Sequence, residues 1–296
     1  MTDASTRVLI LGGTGMLGHA AVDVLARDFE VHATVRDPDR ARRLGLDVPL
    51  HALDGAGPDA PATLDVILAA TGAEAVVNCV GLVKQLEEAS RPVPAITLNA
   101  LFPHQAAEVC AARGARLIHV STDCVFSGDL APPDRYGEDD LPDCRDLYGR
   151  SKLLGEVVED GLTLRTSIIG WELERASGLL EWLAGQAGGT IRGFANAWFS
   201  GLTTRALAAV IGELIADHPT LTGLYQVSTE PISKLDLVTR LDRALGLDCT
   251  IEPAAEPRVN RALDSTRFRA ETGIEIPSWD EMIDDYATHT RPGRAT

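Results

Sequence analysis

The chain has 296 residues, a formal net charge of −16 and a sequence pI of about 4.8, with 45% hydrophobic and 24% charged residues. These proportions fit an ordinary soluble globular protein, either one large α/β unit or two domains sharing a cleft. The acidic balance argues against nucleic acid or an anionic membrane as the main partner, although helix N-termini and a few arginines can still hold a phosphate-bearing ligand.

The N-terminal MTDASTRVLILGG passes from a short polar lead straight into a strand, with no basic region or cleavage signal. RVLIL (7–11) reads as a buried strand and HAAVDVLAR (19–27) as a helix, followed by EVHATV (30–35), a helical patch near 38–44 and PLHALD (49–54). TLDVILAATG (63–72), AVVNCVG (75–81), a helix over 97–113 and RLIHVST (116–122) continue the alternation. Strand, helix and strand repeated in this way imply a parallel sheet covered on both faces. In the second half TLRTSIIG (163–170) is a strand, ASGLLEWLAGQA (176–187) and TTRALAAVIGELIAD (203–217) are helical, and GLYQVS (223–228) follows. The proline-rich IEPAAEPRVN (251–260) is expected to be a loop. No apolar run approaches the roughly 18 residues of a membrane span. Cys79, Cys110, Cys124, Cys144 and Cys249 are scattered and lack metal-ligand spacing, so free thiols in a reducing cytoplasm are expected. His19, His104 and His119 are read as structural, and no metal is expected.

RVLILGGTGMLGHA places Gly12, Gly15 and Gly18 between a strand and a helix. Gly12 allows a tight turn, Gly15 lets the backbone approach a pyrophosphate, and Gly18 permits close helix-to-strand packing. Thr14, Met16 and Leu17 complete this expected cofactor loop. The chain is therefore expected to be a doubly wound NAD(P)-binding Rossmann fold over 1–170. A smaller C-terminal α/β substrate lobe is expected over 171–296, with 203–228 returning to the Rossmann sheet. At the end of the second strand stands Arg36, suited to the 2′-phosphate of NADP, while the adjacent Asp37 keeps NAD open. Asp54, after the third strand, is placed to accept from the adenine amine or simply to cap its loop.

LYGRSK (147–152) sets Tyr148 and Lys152 four apart. On a helix they share one face, with Cβ atoms roughly 6 Å apart. A cation there favours phenolate over phenol and tunes the tyrosine for proton transfer; the plain alternative is an exposed helix start with unrelated side chains. Ser121 and Thr122 end a buried strand, where open α/β sheets bind ligands. A hydroxyl there steadies a substrate oxygen, Tyr148 exchanges its proton, and Lys152 lowers the phenol's pKa or binds the nicotinamide ribose.

With GGTGMLG, VVNCVG, HVSTDCVFSGD and LYGRSKLLGE in this order, the chain resembles the extended short-chain dehydrogenases/reductases. LRTSIIG and NRALDSTRFRAETGIEIPSWDEMI extend the resemblance to the dTDP-4-dehydrorhamnose reductase group, whose members reduce a 4-keto sugar carried on a nucleotide. The resemblance implies that Thr122 is the active-site hydroxyl, Tyr148 the general acid and Lys152 its partner. It further implies that Asn99 supports the lysine through water, that Val80 and Gly81 line the nicotinamide side, and that Thr166 and Ser167 lie nearby. A homodimer is the default assembly it implies.

Two departures bear on the sugar. Cys124 replaces an aromatic residue usual in the group, and GLVKQLEE (81–88) differs from the common pattern, with Lys84 and Gln85 as sugar contacts or a solvated helix start. Asp123, beside Thr122, is a further expected sugar contact. Trp171, Arg192, Phe194, Trp198, Arg258 and Arg261 are candidates to stack on the base and pair with the diphosphate. A thiol at Cys124, where sugar dehydratases carry a carboxylate, demotes elimination and leaves reduction as the best reading. A 4-epimerase and a non-catalytic NADP-binding regulatory subunit are the alternatives.

Overall fold

In β1 (Arg7–Leu11) every residue from Val8 to Leu11 is fully buried, which a strand achieves when both faces of its sheet are covered. The computed structural model describes residues 5–84, 87–174 and 177–289. Gln85, a candidate sugar contact, lies outside the described residues, as does Ala176 at the start of an expected helix.

Beyond β1 the chain runs through α1 (Met16–Leu25), β2 (Glu30–Val35), α2 (Pro38–Arg43), β3 (Leu50–Ala52), α3 (Ala60–Thr71) and β4 (Ala75–Asn78). Then come α4 (Pro92–Ala95), a π turn (Ile96–Leu101), α5 (Phe102–Arg113), β5 (Arg116–Thr122), α6 (Leu147–Leu154) and β6 (Leu162–Thr166). The helix expected over 97–113 thus begins earlier, with proline in its first turn, and is interrupted by the π turn. The rest comprises β7 (Ile168–Ile169), α7 (Leu179–Ala184), β8 (Thr190–Phe194), β9 (Ala197–Phe199), β10 (Leu202–Thr203), α8 (Thr204–Ala216) and β11 (Gly223–Gln226). The last elements are β12 (Ile232–Ser233), α9 (Lys234–Leu245), β13 (Thr250–Ala254), β14 (Val259–Asn260), α10 (Thr266–Thr272) and α11 (Trp279–Thr288).

Seven strands form one parallel sheet in the order β3-β2-β1-β4-β5-β6-β11. This is the expected doubly wound Rossmann architecture. Alternate residues of β1 serve opposite cores, as the strand period requires. Leu9 and Leu11 pack with Leu64 of α3 and Phe102 of α5, whereas Val8 and Ile10 pack with Leu17 of α1 and Ile211 of α8. Strand order reverses between β1 and β4, so a ligand crevice is set above the carboxyl ends of these strands.

Three short sheets accompany the large one: β7 with β10, β9 between β12 and β14, and β8 with β13. The stretch 251–260 is therefore not wholly a loop. β13 pairs in parallel with β8, Pro253 opposite Gly193, and this two-stranded sheet tolerates a proline because one edge of β13 needs no ladder donor. Among the described residues no helix is long and apolar enough to cross a membrane, and all five cysteines are free thiols.

Candidate active site

The turn after β1 is built by close backbone approach. Gly12 adopts φ +82°, a left-handed conformation natural to glycine. Its N–H donates to Thr34 Oγ1 at 3.2 Å, and Gly13 N–H donates to the Thr34 carbonyl at 2.8 Å, tying the turn to β2. A Cβ on Gly18 would land on the Gly12 carbonyl oxygen, well inside contact distance. Thr14 lies within the turn, and Met16 and Leu17 open α1 behind Gly15, its N-cap; no side chain caps this end. Such an uncapped N-terminus suits an anionic group. Gly18→Ala is expected to destabilise the fold by about 1–3 kcal/mol through forced displacement of α1; thermal denaturation beside NADPH titration checks it, with both weakened.

Arg36 is exposed at the end of β2. Asp37 is spent differently: its Oδ1 accepts from Arg40 N–H at 3.0 Å and N-caps α2. Asp54 takes the loop-capping role, Oδ1 accepting from Ala56 N–H at 3.1 Å. His19, His104 and His119 bond Gly15 O, Leu154 O and Asn78 respectively, as packing groups do.

At the carboxyl end of β5 the two hydroxyls diverge. Ser121 donates to Glu156 at 2.7 Å, away from the crevice residues, while Thr122 donates to Asp123 Oδ1 and accepts from Cys124 N–H, both at 3.2 Å. Asp146 caps α6 by accepting from Gly149 N–H at 2.8 Å, and so fixes the start of the helix that carries Tyr148 and Lys152 one turn apart. Lys152 is buried, and its ammonium donates to the Val120 carbonyl at 2.8 Å. Gly81 lies against this group: a Cβ there would be 3.8 Å from Lys152 Nζ and 3.2 Å from Asn99 Oδ1. Val80, next to it, touches Gly12. The pair Val80–Gly81 thus spans the distance from the glycine turn to the lysine.

Asn99 is fully buried in the π turn, a distortion often found at functional sites. Its Oδ1 accepts from Leu82 N–H at 2.8 Å, and its Nδ2 donates to Ser151 Oγ at 3.2 Å and Leu82 O at 3.3 Å. The amide therefore clamps the loop after β4 to α6. Thr166 closes β6, paired with Thr122 in the β5–β6 register, and Ser167 follows it, its hydroxyl opposing the upward push of burial on the Asp123 carboxyl.

The electrostatics correct one expectation. Burial holds Lys152 at about 8, against the pull of Glu156. The Tyr148 phenol is not lowered. Burial pushes it above its ordinary value, the Cys124 thiol and the Asp123 and Asp146 carboxyls add to that, and the Thr122 hydroxyl opposes. Burial also raises the Asp123 carboxyl and pushes the Cys124 thiol up to about 12.

Several expected sugar-nucleotide contacts are engaged elsewhere. Lys84 pairs with Asp146 at 2.6 Å, pinning its loop to the start of α6. Trp171 packs in the main apolar core at 7% exposure. Arg261 donates to the Phe126 and Ser127 carbonyls, both at 2.9 Å, although its charge still reaches Asp123 and Cys124. Arg258 is exposed and paired with Glu256 at 3.3 Å; Arg192 is exposed on β8, and Phe194 and Trp198 are half-buried.

The sequence matches the family model of the RmlD substrate binding domain over residues 6–175. The chain belongs to the RmlD substrate-binding domain family. A curated relative, the probable low-salt glycan biosynthesis reductase Agl14 of Haloferax volcanii, is 28% identical over 295 residues, covering 93% of this chain and 95% of that one. The dTDP-4-dehydrorhamnose reductase of Bacillus anthracis, solved in complex with NADP, superposes with a TM-score of 0.78 at 21% identity, covering 95% of this chain and 98% of that one. The UDP-glucose 4-epimerase of Thermus thermophilus, solved with NAD, also gives 0.78, at 19% identity and covering 98% and 100%. Fold alone therefore does not choose the reaction.

Within this RmlD-type scaffold, residues absent from the sequence reading also converge on the site. Glu156 and Arg165 form a buried pair behind Ser121, and Lys234 enters from the C-terminal part of the chain. Glu156 and Arg165 each had a linear signal, in the GE that closes LYGRSKLLGE and in LRTSIIG, whereas Lys234 had none.

Proposed function

We propose that the chain is an NADP(H)-dependent oxidoreductase that reduces a 4-keto (6-deoxy) sugar carried on a nucleotide, in nucleotide-sugar biosynthesis. The reading is supported by the Thr122 hydroxyl acting on the buried Tyr148 phenol and by Lys152 bonding the Val120 carbonyl of β5, with Val80 and Gly81 leading from Gly12 to the lysine. The residues present fit the cofactor. The Gly12–Gly18 contact and the uncapped start of α1 form a cradle for a pyrophosphate, and Arg36 is exposed where a 2′-phosphate would lie while Asp37 is committed to α2. When bound, NADPH supplies the hydride that reaches the keto carbon.

The chain's own residues do the rest. Thr122 holds the keto oxygen, and Tyr148 gives it the phenolic proton as negative charge develops there. The raised phenol pKa keeps that proton in place until an oxyanion forms beside it. Lys152 fixes the tyrosine's side of the site through its bond to Val120 O. Elimination would need a further acid–base group next to Asp123, and a Cys124 thiol held protonated to about 12 is unsuited to that. The named activities of the Haloferax and Bacillus relatives support the same reading. In it, residues 1–170 bind the dinucleotide and 171–296 bind mainly the sugar nucleotide, in a cytoplasmic homodimer.

The test is NADPH oxidation by purified protein with a panel of dTDP-, UDP- and GDP-linked 4-keto sugars. Stoichiometric NADPH consumption with one of them is the expected result. Interconversion of 4-epimers without net consumption would indicate the epimerase, and tight cofactor binding with no turnover the regulatory role. Arg36→Ala is expected to narrow the preference for NADPH over NADH by about 10- to 100-fold, the value of one charge-assisted contact.

A further inference from the structure

Beside Asp123 the crevice holds a second cation. Lys234 is the first residue of α9, directly after Ser233, whose hydroxyl accepts from Asp236 N–H at 3.0 Å and fixes the helix start. β12 runs antiparallel to β9, with Ile232 opposite Phe199, and the Lys234 ammonium lies 3.8 Å from the centroid of the Phe199 ring. Among the described residues no acceptor bonds this ammonium. The charges it faces are the Asp123 carboxyl and the Cys124 thiol, yet no ion pair within 4.0 Å closes between Lys234 and Asp123.

That separation is chemically informative. A lysine stem is flexible, and in a purely structural pair the ammonium would settle onto the carboxylate. Here the ammonium lies over the ring instead, and it is not one of the fully buried polar atoms that lack a partner, so a ligand oxygen or water can reach it. Burial already lowers Lys234 to about 8 and raises Asp123. A sugar hydroxyl can serve both sides, accepting from the ammonium and donating to the carboxylate in place of a water. A carboxylate-bearing sugar would instead meet the Asp123 charge, and Arg261 is held by two backbone carbonyls.

We propose that Lys234 is a substrate-positioning residue which, with Asp123, clamps a sugar hydroxyl on the carbon next to the reacting carbonyl. The placement follows from Asp123 being hydrogen-bonded to Thr122, the residue assigned to the keto oxygen, so that neighbouring side chains take oxygens on neighbouring carbons. The proposal rests on the reductase reading and narrows its substrate class to α-hydroxy ketones, excluding 3-deoxy sugars.

The test is calorimetric binding of three sugar nucleotides, saturated at C4, to wild type and Lys234→Met in the presence of NADP⁺. One carries the 3-hydroxyl, one is its 3-deoxy analogue and one is a hexuronic acid. Wild type is expected to prefer the hydroxylated ligand by at least about 10-fold, and Lys234→Met to lose that preference to within about 3-fold. Lys234→Gln, which keeps a donor, is expected to recover part of it and serves also if the methionine variant folds poorly. An unchanged preference in Lys234→Met, or tightest binding of the hexuronic acid, overturns the clamp. Equal use of the hydroxylated and 3-deoxy keto sugars by wild type overturns the clamp alone. Absence of any sugar-nucleotide binding overturns the reductase reading along with it.

Discussion

Replacing Tyr148 by phenylalanine is expected to lower turnover of a 4-keto sugar nucleotide by about 10²–10⁴-fold, the usual worth of a positioned general acid. The substitution removes one oxygen and leaves the ring, so α6, its Asp146 cap and the Lys152–Val120 bond stay in place. NADPH affinity should therefore change little, and the loss should appear in kcat more than in KM. Loss of binding and turnover together would instead mean that the phenol holds the site together. The wild-type pH profile carries a second signature. Lys152 sits at about 8, so its ammonium is present below that pH and lost above it. Reduction should decline as pH rises through about 8, well before the raised phenol ionises. A flat profile from pH 7 to 10, measured as kcat/KM under saturating NADPH, would remove Lys152 from the chemistry.

What the sequence could and could not say follows from the range of each interaction. The glycine turn, the strand order around it and the Tyr148–Lys152 helix are local patterns, because strand period, helix period and backbone approach are set within a few residues. The Pro253 stretch misled because proline weakens a strand only where a ladder donor is needed, and edge position is a tertiary fact. For Trp171 and Lys84 the limit of the sequence is a related one. An indole or an ammonium carries the same chemistry whether it meets a ligand or a neighbour, and burial of the one and the Asp146 pairing of the other are decided by distant segments. Lys234 escaped notice for the converse reason: nothing in ISKLDL points to Asp123, and only the pairing of β12 with β9 brings the two into the same crevice.

The Glu156–Arg165 pair yields the largest expected effect on stability. Glu156 follows α6 directly after Gly155, and both partners are nearly buried, with side chains 6% and 4% exposed. Its carboxylate accepts from Arg165 Nε and Nη2, both at 2.8 Å, and from Ser121 Oγ at 2.7 Å. The guanidinium lies 5.4 Å from the centroid of Phe126, which stacks on Tyr136 at 4.1 Å. Glu156→Ala strands a guanidinium in this packed interior. The expected cost is about 3–5 kcal/mol, a fall in Tm on the order of 10 °C. Replacing both partners, as Glu156→Leu with Arg165→Met, should recover most of that loss, because two well-packed apolar groups avoid the desolvation that the ion pair must overcome. A single variant as stable as wild type would show that water reaches the pair. The double variant should remain defective in one respect: Glu156 also favours the charged form of Lys152. Without it the lysine loses its proton at lower pH, and the decline in reduction should begin below the wild-type value even in a protein whose stability has been restored.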